Sequence, residues 1–157
     1  MAKKPLNLAS IRKEDKHFDE QFEIEVQGYT LKIDKHFRKS KINLLIAELV
    51  EKFDYGRAHN TPIESIFLPF STLLIIRHFT SLQVPEDLEG QVEVLKLLTD
   101  NDFLEPILEN LPKDQMNIVM EEVAKVTQLM NERIDEFAND LKTVELENKQ
   151  LLTPFLE

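Results

Sequence analysis

The side chains best able to do chemistry in this chain are its four histidines, and they are scattered. They are His17, His36, His59 and His78, and no two of them stand at the spacing of a zinc-binding pair. The chain has no cysteine, which excludes disulfides, Cys-ligated metal sites and cysteine nucleophiles. We therefore expect no metal and no cofactor.

The other patterns typical of catalysis are also missing from the sequence. Three glycines stand far apart, whereas a phosphate-binding loop needs clustered glycines so that backbone N–H groups can approach the anion. No serine, threonine or lysine is paired with a histidine in a known nucleophile motif. The segment 54–60 gathers polar residues around His59, and a connecting turn explains it as well as a site does. We expect a protein without enzymatic activity.

The net charge of −10 is unevenly distributed along the chain. Residues 1–41 carry a net charge of +3, and the remainder of the chain is strongly acidic. A chain this acidic should be repelled by phosphate backbones, so we expect no nucleic-acid partner. No apolar run reaches the roughly 18 residues that a membrane span requires. We expect no membrane contact and a cytoplasmic location, which is the host cell cytoplasm if a phage encodes the chain.

The clearest local pattern is a β-hairpin at residues 21–34. Apolar and polar residues alternate on both sides of Gln27-Gly28, and Gly28 can supply the positive φ that a two-residue turn needs. One face of this ribbon is apolar and has to be covered by helices, because a lone hairpin is marginal in water. Residues 1–20 have few apolar residues and no sustained period, which favours a disordered basic arm.

Helical periodicity dominates the rest of the chain. It predicts helices at about 40–54, 61–82 with a break at Pro69, 87–98, 102–108 and 112–152, with Ser40 and Asp102 as N-caps. The fold class is therefore α+β and predominantly α-helical. An N-terminal two-stranded hairpin packs on about five helices in a single domain over 21–157, which ends in a long C-terminal helix.

An apolar stripe on that last helix is the candidate partner-binding site. It consists of Met130, Ile134, Phe137, Leu141 and Val144. A helix of about 40 residues would be roughly 60 Å long, longer than a compact domain of this size can cover. The stripe would then contact a second copy of the chain or a helix of another protein. Packing against its own domain remains the alternative.

The order of elements suggests a family. A hairpin of the form FEIEVQGYTLKID is followed by a basic turn HFRKSK, an amphipathic helix INLLIAELVEKF and then acidic helices such as LLTDNDFLEPILENLPKDQMNIVMEEV. This arrangement resembles the small tail assembly chaperones of long-tailed bacteriophages over roughly residues 21–130. The long, charged C-terminal helix departs from that pattern.

The resemblance implies a role without catalysis. Chaperones of that family coat the tape-measure protein and recruit tail-tube subunits, so it implies these two partners and is compatible with a homo-oligomer. Two other functions remain open. One is a structural virion component such as a head–tail connector or completion protein, and the other is a small regulator that uses its basic N-terminal arm.

Changing Phe137 and Leu141 together to Ser tests the proposed role of the stripe. If the stripe is an interface, the variant stays folded but loses self-association or binding to its client, because two large apolar contacts are removed. Circular dichroism and analytical ultracentrifugation measure both properties. Melting of the domain itself would instead show that the stripe is internal core.

Overall fold

The computed structural model describes residues 3–61 and 63–132, and the chain divides into two compact units, Met1–Met120 and Glu121–Glu157. The first unit contains α1 (Leu8–Asp15), β1 (Gln21–Val26), β2 (Tyr29–Asp34), α2 (Lys39–Ala58), α3 (Phe67–Phe79), α4 (Leu88–Asp100) and α5 (Leu104–Asn110). Residues 113–120 are helical in the first unit, and residues 121–132 are helical in the second. The predicted fold class, α+β and predominantly helical, is confirmed. The predicted helix 112–152 and domain 21–157 extend outside the described residues.

The β-hairpin forms where the sequence predicts it. Strands β1 and β2 pair antiparallel, with Glu25 opposite Thr30 and Glu23 opposite Lys32. Gln27 and Gly28 form the turn with φ angles of 52° and 84°, the left-handed conformation that a two-residue hairpin turn requires. The apolar residues of both strands therefore share one face, which packs toward the helices.

Residues 3–20 contain regular structure, in contrast to the disordered arm expected from the sequence. Helix α1 is capped by Asn7, whose side-chain oxygen accepts a hydrogen bond from the Ser10 backbone N–H at 2.9 Å. Arg38 then joins this segment to the rest of the unit by ion pairs with Asp15 and Asp19. A local cap and two charge pairs give order to a sequence that has little apolar periodicity.

Helix α2 is longer than the predicted 40–54 and has a different start. Ser40 lies inside the helix and does not cap it, because the N-cap position is Arg38. At the other end the helix continues past the predicted residue 54, through Gly56, to Ala58. A Cβ at this glycine would lie 2.3 Å from the Thr61 carbonyl oxygen, so Gly56 is needed for close packing of the returning chain and not for a helix stop.

Helix α3 begins later and ends earlier than the predicted 61–82. Its first residue is Phe67, which places Pro69 in the first turn, where a missing N–H costs no hydrogen bond. The expected break at Pro69 is thus the start of the helix. The helix is central as its composition predicts, with seven buried residues: Phe70, Ser71, Leu73, Leu74, Ile75, Ile76 and Phe79.

Helices α4 and α5 lie close to their predicted positions. Asp87 caps α4 by accepting a hydrogen bond from the Gly90 N–H at 2.8 Å. Asp102 does not cap α5, because the N-cap position is Phe103 and Asp102 has a left-handed φ of 61°. The core around these helices is formed by Val26, Leu73, Ile76, Val84, Leu95, Leu98 and Ile107. It joins the hairpin to α3, α4 and α5.

One carboxylate links three of the helices. Glu48 of α2 pairs with Arg77 Nε at 2.9 Å and accepts a hydrogen bond from His78 Nε2 at 2.7 Å, both in α3. Gln91 of α4 donates from Nε2 to the same carboxylate at 2.7 Å and to the Pro85 carbonyl at 2.9 Å. Within the described part of the chain, Gln91 Oε1 is buried without a hydrogen-bond partner.

These contacts change the acidity of Glu48. Burial by itself would raise the pKa, but hydrogen bonds from His78, Arg77 and Gln91, together with the charge of Arg77, outweigh it. They lower the pKa of Glu48 from 4.5 to about 2. Each tenfold change in proton affinity is worth about 1.4 kcal/mol, so the ionised carboxylate contributes about 3 kcal/mol to folding at neutral pH.

Replacing Glu48 with Gln should lower the free energy of unfolding at pH 7 by about 1–3 kcal/mol, because Arg77 and His78 lose a charged acceptor. Since the folded pKa is below the unfolded value, the contribution is complete above pH 4.5 and is lost as the pH falls toward 2. Urea unfolding across this pH range should therefore show that the free energies of unfolding of the two proteins converge in acid. The exposed Glu51→Gln is the matched control, with a change under about 0.5 kcal/mol. A difference in the free energy of unfolding that stays the same at every pH would contradict the stabilising role of the Glu48 carboxylate.

Candidate protein-binding surface

The charged network around Glu48 is suited to holding helices together and not to proton transfer. A carboxylate with a pKa of about 2 is almost fully ionised near neutral pH and is a weak base. Among residues 3–61 and 63–132, no three His, Asp or Glu side chains are grouped so that they could hold a metal ion. The described helices include none with the length and apolar character to cross a membrane.

An apolar pocket lies beside the tip of the hairpin in the first unit. Its volume is about 490 Å³. The lining residues come from the hairpin, the α3–α4 connection, α4 and the start of α5: Val26, Tyr29, Thr30, Leu31, Leu82, Leu98, Phe103 and Ile107. Only Tyr29 and Thr30 bring polar side-chain atoms to this lining, so the surface offers mainly apolar contacts.

The hairpin tip is held in place by a side chain of its own turn. Gln27 Nε2 donates to the backbone carbonyls of Asn101 at 2.8 Å and Asp102 at 3.2 Å, in the connection between α4 and α5. Tyr29 then lies beside Phe103, with ring centroids 6.1 Å apart. Although it belongs to the apolar face of the hairpin, Tyr29 is 70% exposed. The helices thus cover Ile33 and Val26 but leave Tyr29 exposed.

The α4–α5 border of the pocket, the segment that supplies Leu98, Phe103 and Ile107 to the lining, is rich in acidic residues. Residues 98–110 contain four acidic residues and no basic residue. All four, Asp100, Asp102, Glu105 and Glu109, are exposed. An apolar pocket with this border favours a binding partner that presents an apolar side chain between basic residues.

The C-terminal stripe expected from the sequence falls almost entirely outside the described residues. Met130 belongs to the second unit and is buried, with 7% of its surface exposed. Ile134, Phe137, Leu141 and Val144 lie outside the described residues. The stripe as a partner-binding site therefore remains a prediction.

The pocket itself was not found from the sequence. Alternation in the hairpin predicts an apolar face that includes Tyr29 and Leu31, and it predicts that helices cover this face. The alternation does not show which part of this face the helices leave uncovered, because that depends on where α5 packs. One feature of the sequence could have indicated the pocket: Tyr29 is a large aromatic residue directly after the turn.

Comparison with known proteins gives the chain its relatives. A family model described as YomO matches residues 8–153. The SPbeta prophage-derived uncharacterized protein YomO of Bacillus subtilis (strain 168) is 25% identical to this chain over 122 residues. These residues cover 74% of this chain and 71% of that protein. No solved structure matches. Because the family model covers most of its length, from the first helix onward, this chain belongs to the YomO family.

Proposed function

We propose that this chain is a phage protein without enzymatic activity that binds other proteins while the phage tail is assembled. Its prophage-derived relative supports a phage origin. The resemblance in the order of elements to tail assembly chaperones supports the assembly role, with the tape-measure and tail-tube proteins as partners. Assembly of a tail takes place in the host cell cytoplasm, and the chain would act there.

The observation that carries the proposal is the open apolar pocket at the hairpin tip. Its lining is apolar and held in place by Gln27, and it includes a tyrosine that the fold leaves exposed. Tyrosine is a frequent anchor in protein interfaces, because it buries a large ring at little cost in conformational entropy. The polar groups needed to orient a small polar ligand are few here.

The proposed occupant is an apolar side chain of the tape-measure protein that lies between lysine or arginine residues. The four exposed acidic residues of segment 98–110 would pair with those basic residues at the edge of the contact. Such pairs mainly accelerate association and weaken as salt is added. Weak, reversible contacts of this kind suit a chaperone, which has to leave its client before the tail is complete.

Co-expression with the tape-measure protein of the same phage tests this function. The tape-measure protein should become soluble and co-purify with the chain, and the chain should be absent from finished virions analysed by mass spectrometry. Presence in finished particles would instead favour a structural virion component. A tape-measure protein whose solubility and association are unaffected by the chain would contradict the proposal.

Substituting Asp for Tyr29 should weaken this complex by roughly tenfold or more, since an aromatic interface anchor is replaced by a short charged side chain that cannot fill an apolar contact. Because Tyr29 is 70% exposed, the melting temperature should change little. Leu68→Asp in α3 is the matched control, since Leu68 is 59% exposed and lies outside the pocket lining. Equal binding by both variants, measured by titration calorimetry, would exclude the pocket.

A further inference from the structure

The two edges of the β-hairpin differ. The outer edge of β2 is occupied by the segment after α3: Ser81 N–H donates to the Lys32 carbonyl at 2.9 Å, and the Lys32 N–H donates to Ser81 Oγ at 3.0 Å. Ile33 also forms an isolated bridge with Thr80. These bonds show that the backbone groups of Lys32 point away from β1.

The direction of the Lys32 N–H and C=O groups determines the direction of the backbone groups opposite them in β1. In an antiparallel pair, directly opposite residues either exchange both hydrogen bonds or point both pairs of groups outward. Glu23 is opposite Lys32, so its N–H and C=O point away from β2. Because the direction of the backbone groups alternates along a strand, the N–H and C=O groups of Glu25, two residues further on, also point away from β2. No described residue forms a backbone hydrogen bond with either glutamate on this outer edge.

The side chains along this edge carry a simple pattern. Glu23 and Glu25 are exposed, and within the described residues neither carboxylate is ion-paired. Phe22 and Ile24 lie between and beside them on the opposite face of the ribbon, and both are only partly buried. The β1 edge therefore combines free backbone groups, a negative row on one face and an incompletely covered apolar row on the other.

We propose that the outer edge of β1 binds an extended segment of another protein as a third, antiparallel strand. The added strand would have alternating basic and apolar residues. Its basic residues would lie opposite Glu23 and Glu25, and its apolar residues would cover Phe22 and Ile24. A second copy of this chain is a poor occupant, because antiparallel pairing of two β1 strands brings these glutamates close to one another.

This edge is separate from the apolar pocket, whose lining comes mainly from β2 and the helices. The proposal therefore holds or fails independently of the pocket and of the tail assembly role. It assigns a second binding surface to the chain, defined by backbone pairing and not by side-chain burial alone.

Amide hydrogen exchange of the full chain, measured by NMR, provides the first part of the test. In the free protein the N–H groups of Glu23 and Glu25 should exchange fast, whereas those of Ile24 and Val26, bonded to β2, should be protected. Protection of both glutamates at low concentration would show that the chain itself occupies the edge. Protection that grows with protein concentration would assign the edge to a second copy. Either result would overturn the proposal.

The second part uses the peptide acetyl-Lys-Val-Lys-Val-Lys-Val-Lys-amide as the probe. It should slow exchange at Glu23 and Glu25, and a peptide N-methylated at its lysine amides should not, because those N–H groups would face β1. N-methylation at the valines is the control and should preserve binding. Equal binding of both methylated peptides would indicate attraction by charge alone and would overturn strand addition.

Charge reversal in the protein completes the test. The double variant Glu23→Lys with Glu25→Lys should weaken peptide binding at least about tenfold. Glu51→Lys with Glu93→Lys changes the net charge equally at exposed helical positions outside both proposed binding surfaces and should have a much smaller effect. If the two double variants bind the peptide equally weakly, the acidic chain as a whole is the attractant and the β1 edge is not the site.

Discussion

The relative arrangement of α2, α3 and α4 depends on one carboxylate that is largely buried, with 12% of its side chain exposed. Glu48 accepts hydrogen bonds from two residues of α3 and one of α4, and so it fixes the relative positions of α2, α3 and α4. An isolated charge in this position would be costly, but three hydrogen-bond donors, one of them the Arg77 guanidinium, make ionisation favourable. Because α4 is held in this way, its end and the start of α5 are placed beside the hairpin.

Both proposed binding surfaces arise from the incomplete cover of a small hairpin. The helices bury Ile33 at one end, while Gln27 ties the turn to the α4–α5 connection at the other. Between these attachments, Tyr29 is left exposed and the outer edge of β1 has no described partner. A two-stranded ribbon has two edges and needs cover on only one face, so such a small sheet leaves surface available for partners.

The sequence predicted the elements whose signals are local. Alternation and Gly28 identify the hairpin, and helical periodicity over residues 87–98 identifies α4, because each of these depends on neighbouring residues. The end of α2 could not be predicted, because the glycine at position 56 makes room for the Thr61 carbonyl. That carbonyl approaches Gly56 only in the folded chain. The Glu48–Arg77 pair joins residues 29 apart, and periodicity does not report such partners. For the same reason, the sequence indicated that the chain binds protein but not the position of the pocket.

We propose that this chain works by binding another protein at the hairpin tip. Hydrogen exchange with mass spectrometry, carried out on the chain alone and in complex with the co-expressed tape-measure protein, tests it most directly. We expect the complex to slow exchange in residues 26–31 and 98–107, which contain most of the pocket lining. Unchanged exchange in both segments, with protection confined to other parts of the chain, would contradict it.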